Sequence, residues 1–265
     1  ADKLRQTMDT TTPLKGLPER KDEIGQLSQA LVDMTAELQR RIQATAGFAA
    51  DVAHEIKNPL TSLRSAVETV SRVDDAQQQR KLMDIILADI QRMDRLISDI
   101  SQASRVDAEL SMQPTEIYNL SVLIENWASV FIARHGSSVL SFALPRRSVK
   151  AAIHSTRIIQ ILDNLVANAQ TFHKGDTPIE LSLKREKGFA VITMADRGRG
   201  LPEGKEEKIF QRFYTERPPD ENFGQHSGLG LSIARQIANA HGGSLTAANR
   251  PDGGAIFTLC LPLAR

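Results

Sequence analysis

ADVAHEIKNPLTSLRSAVETV, residues Ala50–Val70, is the stretch on which the architecture turns. Its apolar residues Val52, Ile56, Leu60, Leu63, Val67 and Val70 recur in steps of three and four. That is the spacing of a helix packed along one seam. The seam continues upstream through Leu27, Leu31, Met34, Leu38, Ile42 and Ala49. Successive steps of four at 34–38–42 and 52–56–60 are stutters, which locally unwind a supercoil. Downstream, Leu82, Ile86, Met93, Ile97 and Ile100 predict a second helix over about 76–105. The connection Arg72–Asp75 is short, so the two helices are expected to form an antiparallel hairpin. One hairpin buries its seam poorly, and dimerisation into a four-helix bundle is the natural remedy. Towards the start of the chain, Pro13, Gly16 and Pro18 interrupt helix, and Asp22 is placed to cap a new one.

Within this helix lies His54-Glu55-Ile56-Lys57-Asn58-Pro59. His54 is off the Val52/Ile56 seam, so its imidazole is expected to face solvent or a partner. Pro59 cannot donate to the carbonyl of Glu55 and strains the turn below His54. Asn58 is four residues on, along the same face. An exposed imidazole beside a carboxylate suits a nucleophile or an acid–base group. On these six residues alone, a surface histidine beside a proline kink is an equal reading.

Composition bounds the rest. The chain has 265 residues, 25% charged and 41% hydrophobic, a globular profile with room for about two domains. Lys and Arg number 33 and Asp and Glu 32, a net charge of +1, which gives no pull toward nucleic acid. The single cysteine, Cys260, cannot make an intrachain disulfide, and a reducing compartment is the simpler expectation. No apolar run approaches the ~20 residues that span a bilayer. No signal peptide is visible, and the first residue is Ala rather than Met, as in a piece of a longer chain. Before residue 117 the only aromatic is Phe48; eleven follow from Tyr118 onward. The chain thus changes from long helices to a mixed domain, with the boundary expected near Leu110–Thr115.

The second half holds three spaced signals. Asn164 and Asn168 stand at i and i+4 on an otherwise apolar helix and offer amide oxygens to a hard cation. Strands are expected at Ile179–Lys184 and Phe189–Met194, with a turn at Lys187-Gly188. The second runs into Asp196-Arg197-Gly198-Arg199-Gly200, where a carboxylate can accept from an exocyclic amine and glycines let backbone approach a flat ligand. Ser227-Gly228-Leu229-Gly230-Leu231 opens a helix with free N–H groups suited to phosphate, without the Lys of a P-loop. Each motif alone also fits a plain turn or surface amide. Pro202–Gln225 between them is polar and Pro-rich, as a lid would be. Two further strands are expected at Ser244–Asn249 and Ala255–Leu261.

In combination and order these motifs closely resemble the cytoplasmic part of a bacterial sensor histidine kinase of a two-component system. Residues 47–71 are similar to its H-box, Asn164–Asn168 to the N-box and Asp196–Gly200 to the G1 box. Ile209–Tyr214 are similar to the F-box and Gly228–Leu231 to the G2 box. The resemblance implies a multidomain α plus α/β chain. Residues 1–40 would be a partial HAMP signalling module and 41–110 a HisKA-type dimerisation and phosphotransfer hairpin. Residues 111–265 would be an ATP-binding α/β sandwich of the GHKL (Bergerat) type.

It further implies that His54 is the phosphoacceptor, Glu55 the general base and Asn58 the residue that orients water in a phosphatase reaction. Asn168, beside Asn164, would hold Mg²⁺, and Asp196 would read adenine. Gly198, Gly200, Phe210, Phe213, Gly228, Leu229 and Gly230 would line the ATP. The implied partners are a second copy of the chain and the receiver domain of a response regulator, with no nucleic acid. The chain would be the cytoplasmic portion of an inner-membrane protein, attached only through an N-terminal transmembrane sensor that is absent here. Two positions depart from the family: Thr171 stands where a Lys is usual, with His173 or Lys174 as substitutes, and His226 where a Gly is usual. A non-catalytic relay and a GHKL ATPase without histidine phosphorylation are the competing readings.

Overall fold

The computed structural model describes residues 22–112, 114–172, 177–215 and 227–264. The chain divides into two compact units, Ala1–Glu55 and Ile56–Arg265. Helix α1 (Glu23–Val70) runs through 48 residues, Pro59 included. Asp22 starts it as expected: its carboxylate accepts the Gly25 N–H at 3.1 Å, and its carbonyl accepts from Gln26 at 3.1 Å. The upstream seam stays largely uncovered within one chain, with Leu27 62% and Leu38 57% exposed. Residues 1–21, where the start of a HAMP-like module is expected, lie outside the described residues.

Helix α2 (Ala76–Met112) follows after five residues and extends beyond the expected Arg105. Asp75 caps it, its carboxylate accepting from Gln77 and its carbonyl from Gln79, both at 2.9 Å. Gln79 also donates to the Val73 carbonyl at 2.7 Å and so closes the hairpin connection.

The α/β domain begins with β1 (Glu116–Asn119), α3 (Leu120–His135), β2 (Leu140–Ala143) and β3 (Lys150–Ile153). None of these four elements is marked by the motifs above. The three strands have four residues each, too few to display a period of two. Next come α4 (Ser155–Phe172), β4 (Ile179–Glu186), β5 (Phe189–Ala195), a short 3-10 turn (Lys208–Phe210), α5 (Gly230–Ala240), β6 (Ser244–Asn249) and β7 (Ala255–Pro262). The four later strands fall where the sequence predicts them, each within two residues. The β4–β5 turn has φ of 47° at Lys187 and 88° at Gly188, the doubly left-handed geometry of a tight hairpin.

Five strands form one mixed sheet in the order β2-β4-β5-β7-β6, parallel only between β2 and β4. β1 and β3 pair antiparallel beside it. Alternate residues of the central strands are buried on one face: Leu181 and Leu183, Ile192 and Met194, Phe257 and Leu259. They pack against Ile124 of α3, Ile161 and Leu165 of α4, and Ile233 and Ile237 of α5. At ~25 cal/mol per Å² of apolar surface, this single continuous core dominates the domain's stability. The opposite face is more polar, with a Ser182–Thr193 hydroxyl hydrogen bond of 2.7 Å.

Two polar ties fix the helices around that core. Trp127 Nε1 donates to Asp163 at 2.8 Å, joining α3 to α4. His241, just beyond α5, accepts the backbone N–H of His154 on Nε2 at 3.0 Å, while its Nδ1 meets the Ile237 carbonyl at 2.8 Å. Those contacts define a neutral imidazole with its proton on Nδ1. Burial holds the His241 pKa below its ordinary 6.5, opposed by the Ile237 hydrogen bond and assisted by His154. The unfolded chain therefore takes up the proton first as pH falls. The stability contributed by this site is present above pH 6.5 and declines below it. Thermal midpoints measured from pH 8 to pH 5 will fall more steeply for the native chain than for His241→Gln, which retains an acceptor without titrating.

Candidate functional site

The candidate nucleotide site is assembled by α4, the end of β5 and the start of α5. Sheet pairing stops at Ala195, which leaves Asp196 at the head of a loop. Asp196 is 2% exposed, and its Oδ1 accepts the Gly198 N–H at 2.8 Å and the Ala255 N–H at 3.2 Å. Its own N–H donates to the Ala255 carbonyl at 3.0 Å. One carboxylate oxygen is thus committed to shaping the loop. The other has no partner among the described residues and remains an acceptor for a ligand amine.

Gly198 comes against the last residue of α4. A side chain there would collide with the carbonyl of Phe172, so only glycine permits the contact. Arg199 stacks its guanidinium over the Phe172 ring at 4.7 Å and closes the same corner.

Asn164 and Asn168 are both half-buried on α4. Their amides have different duties. Asn164 donates from Nδ2 to the Gly230 carbonyl at 3.0 Å and so ties α4 to the first residue of α5. Asn168 makes no side-chain hydrogen bond among the described residues. Its amide is free to act as a neutral oxygen ligand, and Mg²⁺ typically takes one or two protein oxygens with waters and substrate phosphates. The residues present therefore fit that ion.

The Gly-rich start of α5 is held from several sides. Gly228 has φ of 75°, and Phe213 has φ of 60°, uncommon for a residue with a side chain. The Phe213 N–H donates to the Gly228 carbonyl at 2.9 Å. That hydrogen bond joins the expected F-box to the expected G2 box and supports the strained Phe213 backbone. Ser227 Oγ accepts the Leu229 N–H at 3.2 Å and donates to Asp99 of α2. Leu229 and Phe210 have their side chains in the domain core. Phe210 lies beneath Arg235, 4.7 Å from its ring, and Arg235 pairs with Glu207 at 2.6 Å.

The structure thus ties Asn164 to Gly230 and Phe213 to Gly228, and sets Gly198, two residues after Asp196, against Phe172 at the end of the helix that also carries Asn164 and Asn168. On α1, His54 and Asn58 are exposed, Glu55 is half-buried and Pro59 is buried. Thr171 spends its hydroxyl on the Ala167 carbonyl at 2.9 Å within α4. His173, Lys174, His226 and the Pro-rich segment at 216–225 lie outside the described residues. Ser227 opens the glycine motif read from the sequence, which assigns it no duty of its own; Asp99 and Asn249 carry no sequence signal and are linked to the site only through tertiary contacts.

Comparison with known proteins agrees with this geometry. Residues 44–109 match the His Kinase A (phospho-acceptor) domain. Residues 153–265 match the histidine kinase-, DNA gyrase B- and HSP90-like ATPase domain. Sensor protein ChvG of Agrobacterium fabrum is 44% identical over 278 aligned residues, covering 100% of this chain and 47% of ChvG. ChvG of Rhizobium meliloti is 46% identical, covering 92% of this chain and 44% of that protein. The chain spans about half the length of these curated relatives. A solved complex of the histidine kinase ThkA with the response regulator protein TrrA matches at TM-score 0.62 and 26% identity, over 85% of this chain and 64% of that one. The Acinetobacter baumannii histidine kinase AdeS shares the fold at TM-score 0.55 and 20% identity, over 80% of this chain and 98% of that one. With a phospho-acceptor helix pair followed by an ATPase domain whose motifs meet at one site, the chain belongs to the bacterial sensor histidine kinases.

Proposed function

We propose that this chain phosphorylates itself on His54 from ATP and passes the phosphoryl group to an aspartate on the receiver domain of a response regulator. The observation that carries the reading is the meeting of Asn164 with Gly230 and of Gly198 with Phe172, which anchors both glycine motifs to the one helix that carries the two asparagines. In this reading one ring nitrogen of His54 attacks the γ-phosphorus, the bond to the ADP oxygen breaks and ADP leaves. Glu55 accepts the proton from the other ring nitrogen. A receiver carboxylate then attacks the same phosphorus, and the phosphorus–nitrogen bond breaks.

Asp196 would accept the adenine amine on its unpartnered oxygen, and the backbone around Gly228–Gly230 would face the phosphates. Asn168 would hold Mg²⁺, with Asn164 beside it; that ion neutralises phosphate charge when bound. Positioning and charge neutralisation do most of the work in phosphoryl transfer. Asn58, exposed and one turn beyond His54, would orient water for the reverse, phosphatase reaction on the regulator. The region preceding the hairpin would belong to a partial HAMP module over residues 1–40, with the hairpin at 41–110 and the catalytic domain at 111–265. Among the described residues no helix is long and apolar enough to cross a membrane. The chain would be the cytoplasmic portion of a longer inner-membrane sensor.

The uncovered apolar residues of the hairpin, Leu60 and Val67 on α1 with Ile90 and Ile97 on α2, support a homodimer in which a second copy of the hairpin completes a four-helix bundle. Val67→Glu combined with Ile97→Glu will shift the chain from dimer to monomer in sedimentation at micromolar concentration. A chain that stays monomeric before mutation would count against the bundle.

Incubation with γ-labelled ATP and Mg²⁺ tests the chemistry. The native chain will acquire an acid-labile, base-stable label, and His54→Ala will lose it by more than ~100-fold. Asn168→Ala will lower labelling while leaving the thermal midpoint of the domain nearly unchanged. Nucleotide binding without any label would instead favour the non-catalytic relay.

A further inference from the structure

Asn249, the last residue of β6, lies outside every motif discussed so far. Its side chain donates from Nδ2 to the Leu201 carbonyl at 2.8 Å and accepts the Leu201 N–H on Oδ1 at 2.5 Å. A primary amide can meet the N–H and C=O of one residue together, much as a strand rung does. Hydroxyl, carboxylate and aliphatic side chains cannot supply both partners at that length. Leu201 directly follows the Asp196–Gly200 loop.

The other end of this loop is held by the same hairpin. The backbone N–H and C=O of Ala255 bind Asp196. Asn249 and Ala255 are register partners across the β6–β7 ladder. One rung of that ladder therefore grips both ends of the loop, one by side chain and one by backbone. The intervening turn is stiffened by the Arg250 N–H to the Gly254 carbonyl at 2.9 Å. Arg197, inside the loop, pairs with Asp252 of the turn at 2.6 Å, and Arg250 meets Asp252 at 3.2 Å. The Arg250 and Arg197 guanidinium groups hold the Asp252 carboxyl below its ordinary range, so the turn stays ionically tied to the loop near neutral pH.

Gly200 belongs to the same arrangement. Its φ is 78°, and a Cβ there would lie 2.6 Å from Asn249 Oδ1. The glycine is thus needed for the clamp, whatever it also offers a ligand.

We infer that Asn249 is a positioning residue for the nucleotide: by clamping Leu201 it fixes the span of the Asp196–Gly200 loop and hence where Asp196 meets the base. The inference rests on the proposed reading that this loop receives adenine. Asn249 touches no reacting atom, so its loss acts on binding rather than on transfer.

The test compares the full chain with Asn249→Ala and Asn249→Asp. Readouts are the dissociation constant for ADP with Mg²⁺ by calorimetry, the KM for ATP, the labelling rate at saturating ATP and the thermal midpoint. Asn249→Ala will weaken ADP and raise the KM about tenfold, as expected for two lost hydrogen bonds expressed through binding. Its saturating rate will stay within about twofold, since the transferred group is held elsewhere. Asn249→Asp keeps the acceptor for the Leu201 N–H and loses the donor, so its ADP affinity will fall between the two. Unchanged ADP affinity in Asn249→Ala overturns the inference. So does a drop in thermal midpoint and saturating rate with the KM unmoved, which marks a purely structural residue. Failure of the native chain itself to bind ADP would defeat the parent reading and this inference together. Native binding with an indifferent Asn249→Ala defeats the inference alone.

Discussion

The backbone contact between Gly198 and the Phe172 carbonyl is the constraint on which the rest of the site depends. It brings the loop after β5 against the C-terminal end of α4. Asn168 is one turn back from that end, and Asp196 is two residues before the glycine. Their separation is therefore set by main chain, which flexes far less than side-chain rotamers. The second link, from Asn164 to the Gly230 carbonyl, brings the start of α5 to the same helix. Helix α4 thus serves as a ruler: Asn164 and Phe172 sit on it and register the other two elements. The core beneath, with Ile161 and Leu165 against the sheet, keeps the ruler in place.

Sequence legibility followed the range of the forces involved. The long helices were readable because α1 repeats its apolar spacing over many turns. The four later strands were readable because Gly and Pro punctuate them and their residues alternate. β1, β2 and β3 have four residues each, and pairing partners elsewhere in the chain determine them. Site motifs were readable as short strings, but their duties were not. Two asparagines on one line look equivalent in sequence, while Asn164 is spent on Gly230 and Asn168 makes no side-chain hydrogen bond among the described residues. Gly200 looks like a ligand-lining glycine, although its left-handed backbone also admits the Asn249 amide. Phe213 carries no sign of its positive φ in the sequence, since the hydrogen bond that accompanies it is made to Gly228, fifteen residues on.

The two halves of the chain solve different physical problems. The α/β domain buries its apolar residues within one chain, in a continuous core under the sheet. The upstream part of α1 leaves a line of large apolar side chains in water. A stripe of this kind is the mark of a surface that packs against something else. The helix retains an ordered capped start at Asp22 and continues through Pro59, where a backbone hydrogen bond is missing. His54 sits five residues before that proline, on the same continuous helix.

The hydroxyl of Ser227 is shared between Asp99 of α2 and the N–H of Leu229. A carboxylate on the hairpin therefore reaches the start of α5, the helix end that the proposed reading gives to the phosphates. Thermodynamic linkage gives this contact a reciprocal consequence. If an anion at the start of α5 loosens the grip of Asp99, then any displacement of α2 that withdraws Asp99 must strengthen the hold on that anion by the same factor. The hairpin and such an anion would then compete for a single hydroxyl, and each would report the state of the other.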